Sequence, residues 1–462
     1  MRTFLSKKTT GHFYPPLTPI LPGLETAAVT AAAQGPQEPV GGGVLRLHRP
    51  DRAQTRLVAC VVEDLVPADH QVRVIWSLTQ RLDLAAFAAG LKVCEGEAGR
   101  SATDPRLLVA LWLWAATQGV GSAREVARLC ASHDAYKWLC GGVAVNYHTL
   151  SDFRVAHERA LDELLTQVVA LLLAAGLVTV HRVAQDGTRV RASAGKDSFH
   201  RRPTLERALE AARQQVEHLK AQREAPAVAA EPPSKRQEAA RARAARQREE
   251  RVAAALGQMP ELEAAKARHN GKASGASPRA STTDPEARVM KMPDGGFRPA
   301  YNVQLACDTS SRAIVGVDVT NSGSDKAQSA PMREQVERRT GQTVAEHLLD
   351  GGYVRLEDIE RATAAGTTVY APPQTSSPEI NPCLVRPGDS PAVAAWRERM
   401  GSAEGQRIYR ERASTCETIN GDLRTYRGLG RLLVRGLSKV RSLALWSALA
   451  YNVLHFGRAM MG

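Results

Sequence analysis

Apolar residues recur at spacings of three and four between about residues 55 and 175, as they do along one face of an α-helix. The run "LLVALWLWAA" shows this spacing, and the preceding "TDPRLL" offers Thr103 or Asp104 as a cap before Pro105 in the first turn. We therefore predict an all-α N-terminal domain over residues 55–175. Residues 1–54 are rich in proline, glycine and alanine without this periodicity, which predicts a flexible leader.

After residue 175 the pattern changes to short apolar runs that are typical of β-strands. One strand is predicted at residues 178–185, ending in Asp186 before a glycine turn. Another is predicted in "AEHLLDGGY", ending in Asp350. Two alternating runs at residues 303–307 and 314–319 predict a hairpin.

A long segment rich in alanine, arginine, glutamate and glutamine separates the first predicted strand from the hairpin. This composition at residues 201–270 predicts a helical hairpin, and its mixed charges favour a solvated helix pair over a DNA contact. Further helical segments alternate with strands downstream. We therefore predict a mixed α/β sheet for residues 176–462, with helices against it and a helical insertion.

The composition adds a net formal charge of +13 and a pI of about 9.6. So basic a chain favours a polyanionic partner, nucleic acid ahead of a membrane surface. The most apolar runs fall short of the roughly 18 residues that a bilayer crossing needs, and no signal peptide is evident, so we expect a cytoplasmic protein without a membrane partner. The seven cysteines form no CxxC pair, which disfavours zinc.

Two aspartates share one local pattern, an apolar strand followed by Asp and Gly. In "VAQDGT" and "LLDGGY" the strand would fix the carboxylate of Asp186 or Asp350, while the glycine would let a ligand or metal approach the backbone. A turn aspartate that bonds its own backbone is the commoner fate of Asp-Gly and accounts for either one alone. The recurrence of the pattern favours a functional pair.

The stretch "YRERASTCETINGDLR", at residues 409–424, is predicted to be one helix. At 100° per residue, Glu417 is the acid that shares a face with basic residues. That face also carries Tyr409, Arg424 and Arg427.

The other charged residues of this helix fall elsewhere. Glu411 and Asp422 lie on the far side, where a surface network of residues four apart would explain them. Arg412 points toward the packed side, and a buried guanidinium needs an anionic partner, a carboxylate or a phosphate.

Three carboxylates on separate elements of a basic chain suggest metal-dependent phosphoryl transfer. Mg²⁺ prefers oxygen ligands and leaves positions for substrate phosphates. Two such ions about 4 Å apart can activate the attacking oxygen and stabilise the leaving one. Asp186 and Asp350 on strands of one sheet and Glu417 on a following helix could converge to hold two Mg²⁺ ions, for which Mn²⁺ would substitute.

Several segments resemble bacterial insertion-sequence transposases of the DDE class. The resemblance covers residues 60–458 and rests on "LLVALWLWAATQGVGSAREVARLC", "HTLSDFR", "STTDPEARVMKMPDGGFRPAYNVQLACD", "LLDGGY" and "IYRERASTCETINGDLR". It implies a helical N-terminal domain for DNA binding or assembly and an RNase H-like catalytic domain. It also implies that Asp186, Asp350 and Glu417 are the catalytic, metal-binding triad.

The last segment of such proteins carries a signature of Tyr, Arg, Glu and Lys or Arg. The matching residues are Tyr409, Arg412, Glu417 and Arg424. Arg424 stands where many relatives have lysine, which keeps the charge but changes the geometry of a phosphate contact. The leader at residues 1–54 departs from the family's usual start.

The sequence after Asp422 contains seven basic residues and no aspartate or glutamate. Compensation of helix dipoles explains one or two of these charges. The whole set resembles a surface that follows DNA phosphates, with an affinity that falls steeply as salt rises. The predicted DNA contacts are Tyr409, Arg412, Arg424, Arg427, Lys439 and Arg441.

Together these features imply a transposase that binds double-stranded DNA at the ends of its element and acts as a homo-oligomer on that DNA. It would cleave with metal-activated water and join the freed 3′-hydroxyl to target DNA. Two alternatives remain open. One is an inactive DNA-binding relic or regulator, and the other is a metal-dependent nuclease without strand transfer.

Overall fold

The computed structural model describes residues 53, 59–91, 93, 101–224, 234–269, 277–374 and 379–461. The chain divides into two units, Met1–Ala59 and Cys60–Gly462, and all the described helices and strands belong to the second. Apart from Ala53, the predicted leader at residues 1–54 lies outside the described residues.

The region before residue 175 is helical, as the apolar spacing predicts. Its helices are α1 Gln71–Arg81, α2 Ala85–Ala88, α3 Pro105–Thr117, α4 Ala123–Ser132, α5 Asp134–Cys140, α6 Tyr147–Ala156 and α7 Glu158–Ala174. Asp104 caps α3 by accepting a hydrogen bond from the Arg106 amide, with Pro105 in the first turn. Trp112 and Trp114 of α3 are buried in the core.

The following region contains a mixed sheet of six strands. They are β1 Arg182–Arg191, β4 Arg288–Lys291, β5 Phe297–Asp308, β6 Ile314–Thr320, β7 Glu346–Leu348 and β8 Thr368–Tyr370. The strand order is β4-β5-β1-β7-β8, and β6 also pairs with β5. The β5–β6 pairing is antiparallel, so the predicted hairpin is confirmed.

The first strand differs from the prediction in its bounds. Residues 178–181 precede it, and Asp186 and Gly187 lie inside β1 rather than in a turn after it. Asp186 pairs with Leu305, and Gly187 pairs with Gln304 of β5. The glycine turn is therefore wrong, because pairing with a long neighbouring strand outweighs the turn preference of Asp-Gly.

The predicted helical insertion is present where it is described. It comprises α8 Arg202–Glu224, α9 Lys235–Gly257 and α10 Met259–His269. A reciprocal pair of hydrogen bonds between Ser234 and Gln237 caps α9. Two short strands, β2 Phe199–His200 and β3 Ala280–Ser281, pair antiparallel across the two ends of the insertion.

The remaining helices cover the sheet. They are α11 Ser329–Thr340, α12 Leu356–Ala364, α13 Pro391–Gly401, α14 Ala403–Tyr426 and α15 Leu437–Phe456. Helix α14 packs against β1, β5 and β8, whereas α15 packs against β6 and against α3, α6 and α7.

The first turn of α15 is held by two carboxylates from the segment before β4. Asp284 accepts a hydrogen bond from the Gly436 amide at 3.1 Å, and Glu286 accepts one from the Leu437 amide at 2.8 Å. These acids satisfy amides that a helix N-terminus otherwise leaves unpaired.

One hydrophobic core joins the N-terminal helices to the sheet. It runs from Val66 through α3 and α7 to β5, β6 and α15. Residues on both sides of the predicted domain boundary at 175/176 therefore belong to one compact unit. Among the described residues, no helix is long and apolar enough to cross a membrane.

Candidate active site

Asp186 projects from β1 toward α14 and is 20% exposed. Its Oδ1 accepts a hydrogen bond from Nη2 of Arg412 at 2.9 Å, and its Oδ2 accepts one from Nδ2 of Asn420 at 2.9 Å. Arg412 and Asn420 lie about two turns apart on α14. Two side chains of one helix therefore fix both oxygens of this carboxylate.

Asp350 follows β7, the parallel neighbour of β1. In that pairing Arg182 lies opposite Glu346 and Ala184 opposite Leu348. If the same register is extended by two residues past Ala184 and Leu348, Asp186 lies opposite Asp350. Asp186 lies inside β1 and Asp350 lies two residues past the end of its parallel neighbour β7, at the equivalent level, which is why the two acids meet at one edge of the site.

The Asp350 side chain is 57% exposed, and its Oδ2 lies 4.0 Å from Nη2 of Arg412. Its Oδ1 accepts a hydrogen bond from the Gly351 amide at 2.6 Å and so caps the short 3₁₀ helix Gly351–Tyr353. One guanidinium thus lies between the two carboxylates. The prediction that Arg412 needs an anionic partner is confirmed, and that partner is Asp186.

Burial and the neighbouring charges shift the pKa values of Asp186 and Arg412. Burial raises the pKa of the Asp186 carboxyl above its ordinary value, and the carboxylates of Asp350 and Asp325 raise it further, while Arg412 acts in the opposite direction. Burial acts to lower the pKa of Arg412, but the surrounding anions, Asp186 foremost, outweigh it and raise that pKa. A cation beside Asp186 would stabilise its ionised form.

Glu417 lies on α14 between Arg412 and Asn420 in sequence, and its side chain is exposed. The described residues contain no group of three aspartate, glutamate, histidine or cysteine side chains close enough to hold a metal ion. The structure therefore brings Asp186 and Asp350 together, whereas Glu417 reaches solvent from the helix that contacts Asp186.

Of the six predicted DNA contacts, Arg412 pairs with Asp186, and the other five fall into two groups. Arg424 and Lys439 are exposed and form no ion pair within the described part of the chain, and half-buried Tyr409 packs beside the Asp350 strand. Burial raises the pKa of Tyr409. Arg427 and Arg441 form ion pairs with acidic side chains of the protein itself.

The engaged arginines have specific partners. Arg427 pairs with Asp422 at 2.8 Å and donates to the Thr117 carbonyl. Arg441 lies among three acids, Glu158 at 3.3 Å, Asp318 at 3.5 Å and Asp162 at 3.9 Å. Little of either guanidinium is free to contact a phosphate.

The predicted surface network on α14 is wrong. Glu411 pairs with Arg182 of β1 at 2.7 Å, and Asp422 pairs with Arg427, five residues along the chain. Helical spacing correctly predicts which side of α14 these acids lie on. It cannot identify partners outside the helix, such as Arg182 of β1. Glu411 therefore joins the helix to the sheet.

Sequence reasoning missed two polar residues near the acids. Asn420 could have been found, because its spacing from Arg412 places both on one side of the helix. Asp325 lies in the polar loop "NSGSDK", which carries no pattern that marks it.

Two regions of the chain match known families. Residues 61–156 match a family described as "Transposase domain (DUF772)", and residues 383–456 match one described as "Transposase DDE domain". The second match covers α14 and the signature residues Tyr409, Arg412, Glu417 and Arg424. No significant match is found among curated proteins or among solved structures.

The first match covers most of the N-terminal helices, and the second covers the helix that contacts the Asp186 carboxylate. Both matched regions are transposase domains, and together they indicate a DNA transposase of the DDE class.

Proposed function

We propose that this transposase cleaves phosphodiester bonds at the ends of its element and joins the freed 3′-hydroxyl to target DNA. The observation that supports this most is the meeting of Asp186 of β1 with Asp350, which follows the parallel neighbour β7, with Arg412 of α14 between them. We also propose that the mixed sheet is RNase H-like.

Asp186, Asp350 and Glu417 would hold the divalent metal. The donor chemistry fits, since carboxylate oxygens are the ligands that Mg²⁺ prefers, and Glu417 would have to move toward Asp186 and Asp350 to complete the set. The exposed Asp350 has an Oδ2 that forms no hydrogen bond with a described residue, so this oxygen is open to a ligand. Two bound Mg²⁺ ions, or Mn²⁺ in their place, would supply activation of water and stabilisation of the leaving oxygen.

Each protein side chain has a distinct part in this proposal. Arg412 balances the charge of Asp186 and holds it in one orientation. Exposed Arg424 and Lys439 would hold the DNA backbone. Glu417 would turn from solvent toward the two aspartates, since it belongs to the same helix as Arg412 and Asn420.

The proposal is tested with purified protein, DNA carrying the element's ends, and Mg²⁺ or Mn²⁺. We expect metal-dependent cleavage and joined product with the wild type and loss of both with Asp350→Ala. Glu360→Ala, which removes an exposed carboxylate from α12, should behave as the wild type. Equal strand transfer by wild type and Asp350→Ala would refute the triad.

The same assay separates the two alternatives. A nuclease would release nicked DNA without joined product. A relic or regulator would bind DNA in a salt-sensitive way and never cut it. The observation that favours this alternative is that the described residues contain no group of three acids close enough to hold a metal ion.

A further inference from the structure

A buried polar network lies on the face of the sheet opposite Asp186. Side chains alternate along a strand, so Gln185 and Gly187 face away from α14. Gln304 of β5 pairs with Gly187 and shares that face. Gln185, Asn302, Gln304 and Tyr353 are each at most 1% exposed. A buried cluster of this kind is stable only when its members bond one another.

Gln304 is the centre of this network. Its Oε1 accepts hydrogen bonds from Nε2 of Gln185 at 3.0 Å and from the hydroxyl of Tyr353. Gln185 immediately precedes Asp186, and Tyr353 ends the 3₁₀ helix that Asp350 caps. The Gln304 amide therefore connects the strand of one acid to the turn of the other.

Asp325 fixes the orientation of that amide. Its Oδ1 accepts hydrogen bonds from Nε2 of Gln304 at 2.8 Å and from Nδ2 of Asn302 at 2.6 Å. Arg189 lies 3.5 Å from its Oδ2. Because an ionised carboxylate only accepts, Gln304 must present its NH₂ group to Asp325 and its oxygen to Gln185 and Tyr353.

The network also explains the glycine of "QDGT". A Cβ at Gly187 would lie 2.4 Å from Oδ1 of Asp325, 2.4 Å from Nε2 of Gln304 and 2.8 Å from Oδ1 of Asn302. The group that approaches the backbone closely is therefore the protein's own polar cluster. The sequence predicted that this glycine makes room for a ligand or metal, whereas in the structure it makes room for the side chains of Asp325, Gln304 and Asn302.

We propose that Gln304 and Asp325 are positioning residues that hold the Asp186 strand and the Asp350 turn at one fixed spacing. The inference rests on the proposed function, because that spacing matters when both carboxylates bind the same metal ions. Outer groups that orient metal-binding side chains commonly change metal affinity about tenfold or more when they are removed.

The first test compares Tyr353→Phe with Tyr370→Phe. Both remove one buried tyrosine hydroxyl from the same hydrophobic cluster, but Tyr370 bonds Glu346 and lies outside the network. We expect Tyr353→Phe to weaken Mn²⁺ binding about tenfold by calorimetry and to lower kcat for cleavage similarly, with KM for DNA unchanged. Tyr370→Phe should match the wild type in all three.

The second test uses Asp325→Asn, in a partly exposed loop where the substitution keeps the side-chain volume. An amide can turn either group toward Gln304, so the orientation is no longer fixed. We expect the same weakening of Mn²⁺ binding and the same loss of kcat as with Tyr353→Phe. Thermal unfolding of every variant shows whether it is folded, and Asp325→Asn carries the test if Tyr353→Phe is not.

The outcomes separate the inference from the proposed function. If Tyr353→Phe and Asp325→Asn bind Mn²⁺ and cleave DNA as Tyr370→Phe does, the positioning role is overturned. If the wild type binds Mn²⁺ but never cuts DNA, the proposed function fails, and the difference in Mn²⁺ affinity between variants still decides the positioning role.

Discussion

Asp284 holds the start of α15 by a hydrogen bond, but its buried charge destabilises the folded protein. It is fully buried, and its Oδ1 accepts hydrogen bonds from the hydroxyl of Tyr301 and the amide of Gly436. Its Oδ2 has no hydrogen-bond partner among the described residues. Burial raises the pKa of the Asp284 carboxyl, against the hydrogen bonds it accepts. Ionised Asp284 therefore lowers the free energy of unfolding.

We expect Asp284→Asn to be more stable than the wild type at neutral pH. Asparagine keeps the accepting oxygen and removes the charge. The pKa of Asp284 is higher in the folded than in the unfolded protein. The loss of unfolding free energy caused by ionised Asp284 is therefore complete above the folded pKa and disappears below the unfolded pKa. The gain in Tm should therefore shrink as the pH falls through that window.

Thermal unfolding followed by circular dichroism from about pH 8 to about pH 4 measures this difference. Asp294→Asn is the matched control, because Arg298 lowers the pKa of that exposed carboxyl and the substitution should bring no gain at neutral pH. A gain for Asp284→Asn that is the same at every pH would contradict the electrostatic cause.

At this scale the sequence identifies some site residues and not others. Asp186 and Asp350 are found because an apolar run before Asp-Gly is a local pattern. The roles of Gln304 and Asp325 arise from β5 and a loop that come more than a hundred residues after β1, and no local pattern marks them. Contacts between distant segments are not visible in one sequence.

Helix α14 separates two glutamates with different expected roles. Glu411 pairs with Arg182 of β1, whereas Glu417 is exposed and forms no ion pair within the described residues. The helix therefore offers an internal comparison between an acid that stabilises the fold and an acid proposed for chemistry.

We expect Glu411→Ala to lower the free energy of unfolding by roughly 1 kcal/mol, because it removes a partly exposed ion pair. Glu417→Ala should leave the stability unchanged and abolish metal-dependent cleavage. Denaturant unfolding and the cleavage assay measure the two effects. Retained cleavage by Glu417→Ala would remove this residue from the triad.

Helical periodicity explains what was predictable about this element. The spacing placed Arg412 on the packed side and Glu411 away from Glu417, and both placements agree with the structure. It could not name Arg182 as the partner of Glu411, since that partner depends on how the helix lies on the sheet.

Across the whole molecule, the positive charge after Asp422 is divided between surface and interior. Arg424 and Lys439 are exposed, whereas Arg427 joins the end of α14 to the carbonyl of Thr117 at the end of α3. A count of charges therefore overstates the number of residues that can meet DNA.

We expect Arg424→Ala to leave stability unchanged and to weaken DNA binding at low salt. The slope of log K against log salt should become shallower by roughly 0.9, as for one lost phosphate contact.

Arg427→Ala should cost about 2 kcal/mol of unfolding free energy, because Asp422 and the Thr117 carbonyl lose a partner. Binding titrations at several salt concentrations and denaturant unfolding distinguish the two. Equal salt slopes for Arg424→Ala and the wild type would exclude this contact.

The sequence predicted the helical region, the helices of the insertion and the β5–β6 hairpin, because each depends on local periodicity. It did not predict that the N-terminal helices and the sheet share one core. Helix α15 causes this sharing, since it packs on β6 and on α3, α6 and α7 together, and the order in which distant helices pack leaves no local pattern.

The packing of α15 also has a consequence for synthesis on the ribosome. Gln71 of α1 donates a hydrogen bond to the carbonyl of Leu454 in α15. The N-terminal helices therefore cannot complete their packing until α15, near the end of the chain, has been synthesised. At translation rates on the order of ten residues per second, the apolar sides of α3 and α7 stay uncovered for roughly half a minute. During that time they are natural sites for chaperones, and a premature stop before Leu437 would leave a polypeptide suited to degradation rather than to partial activity.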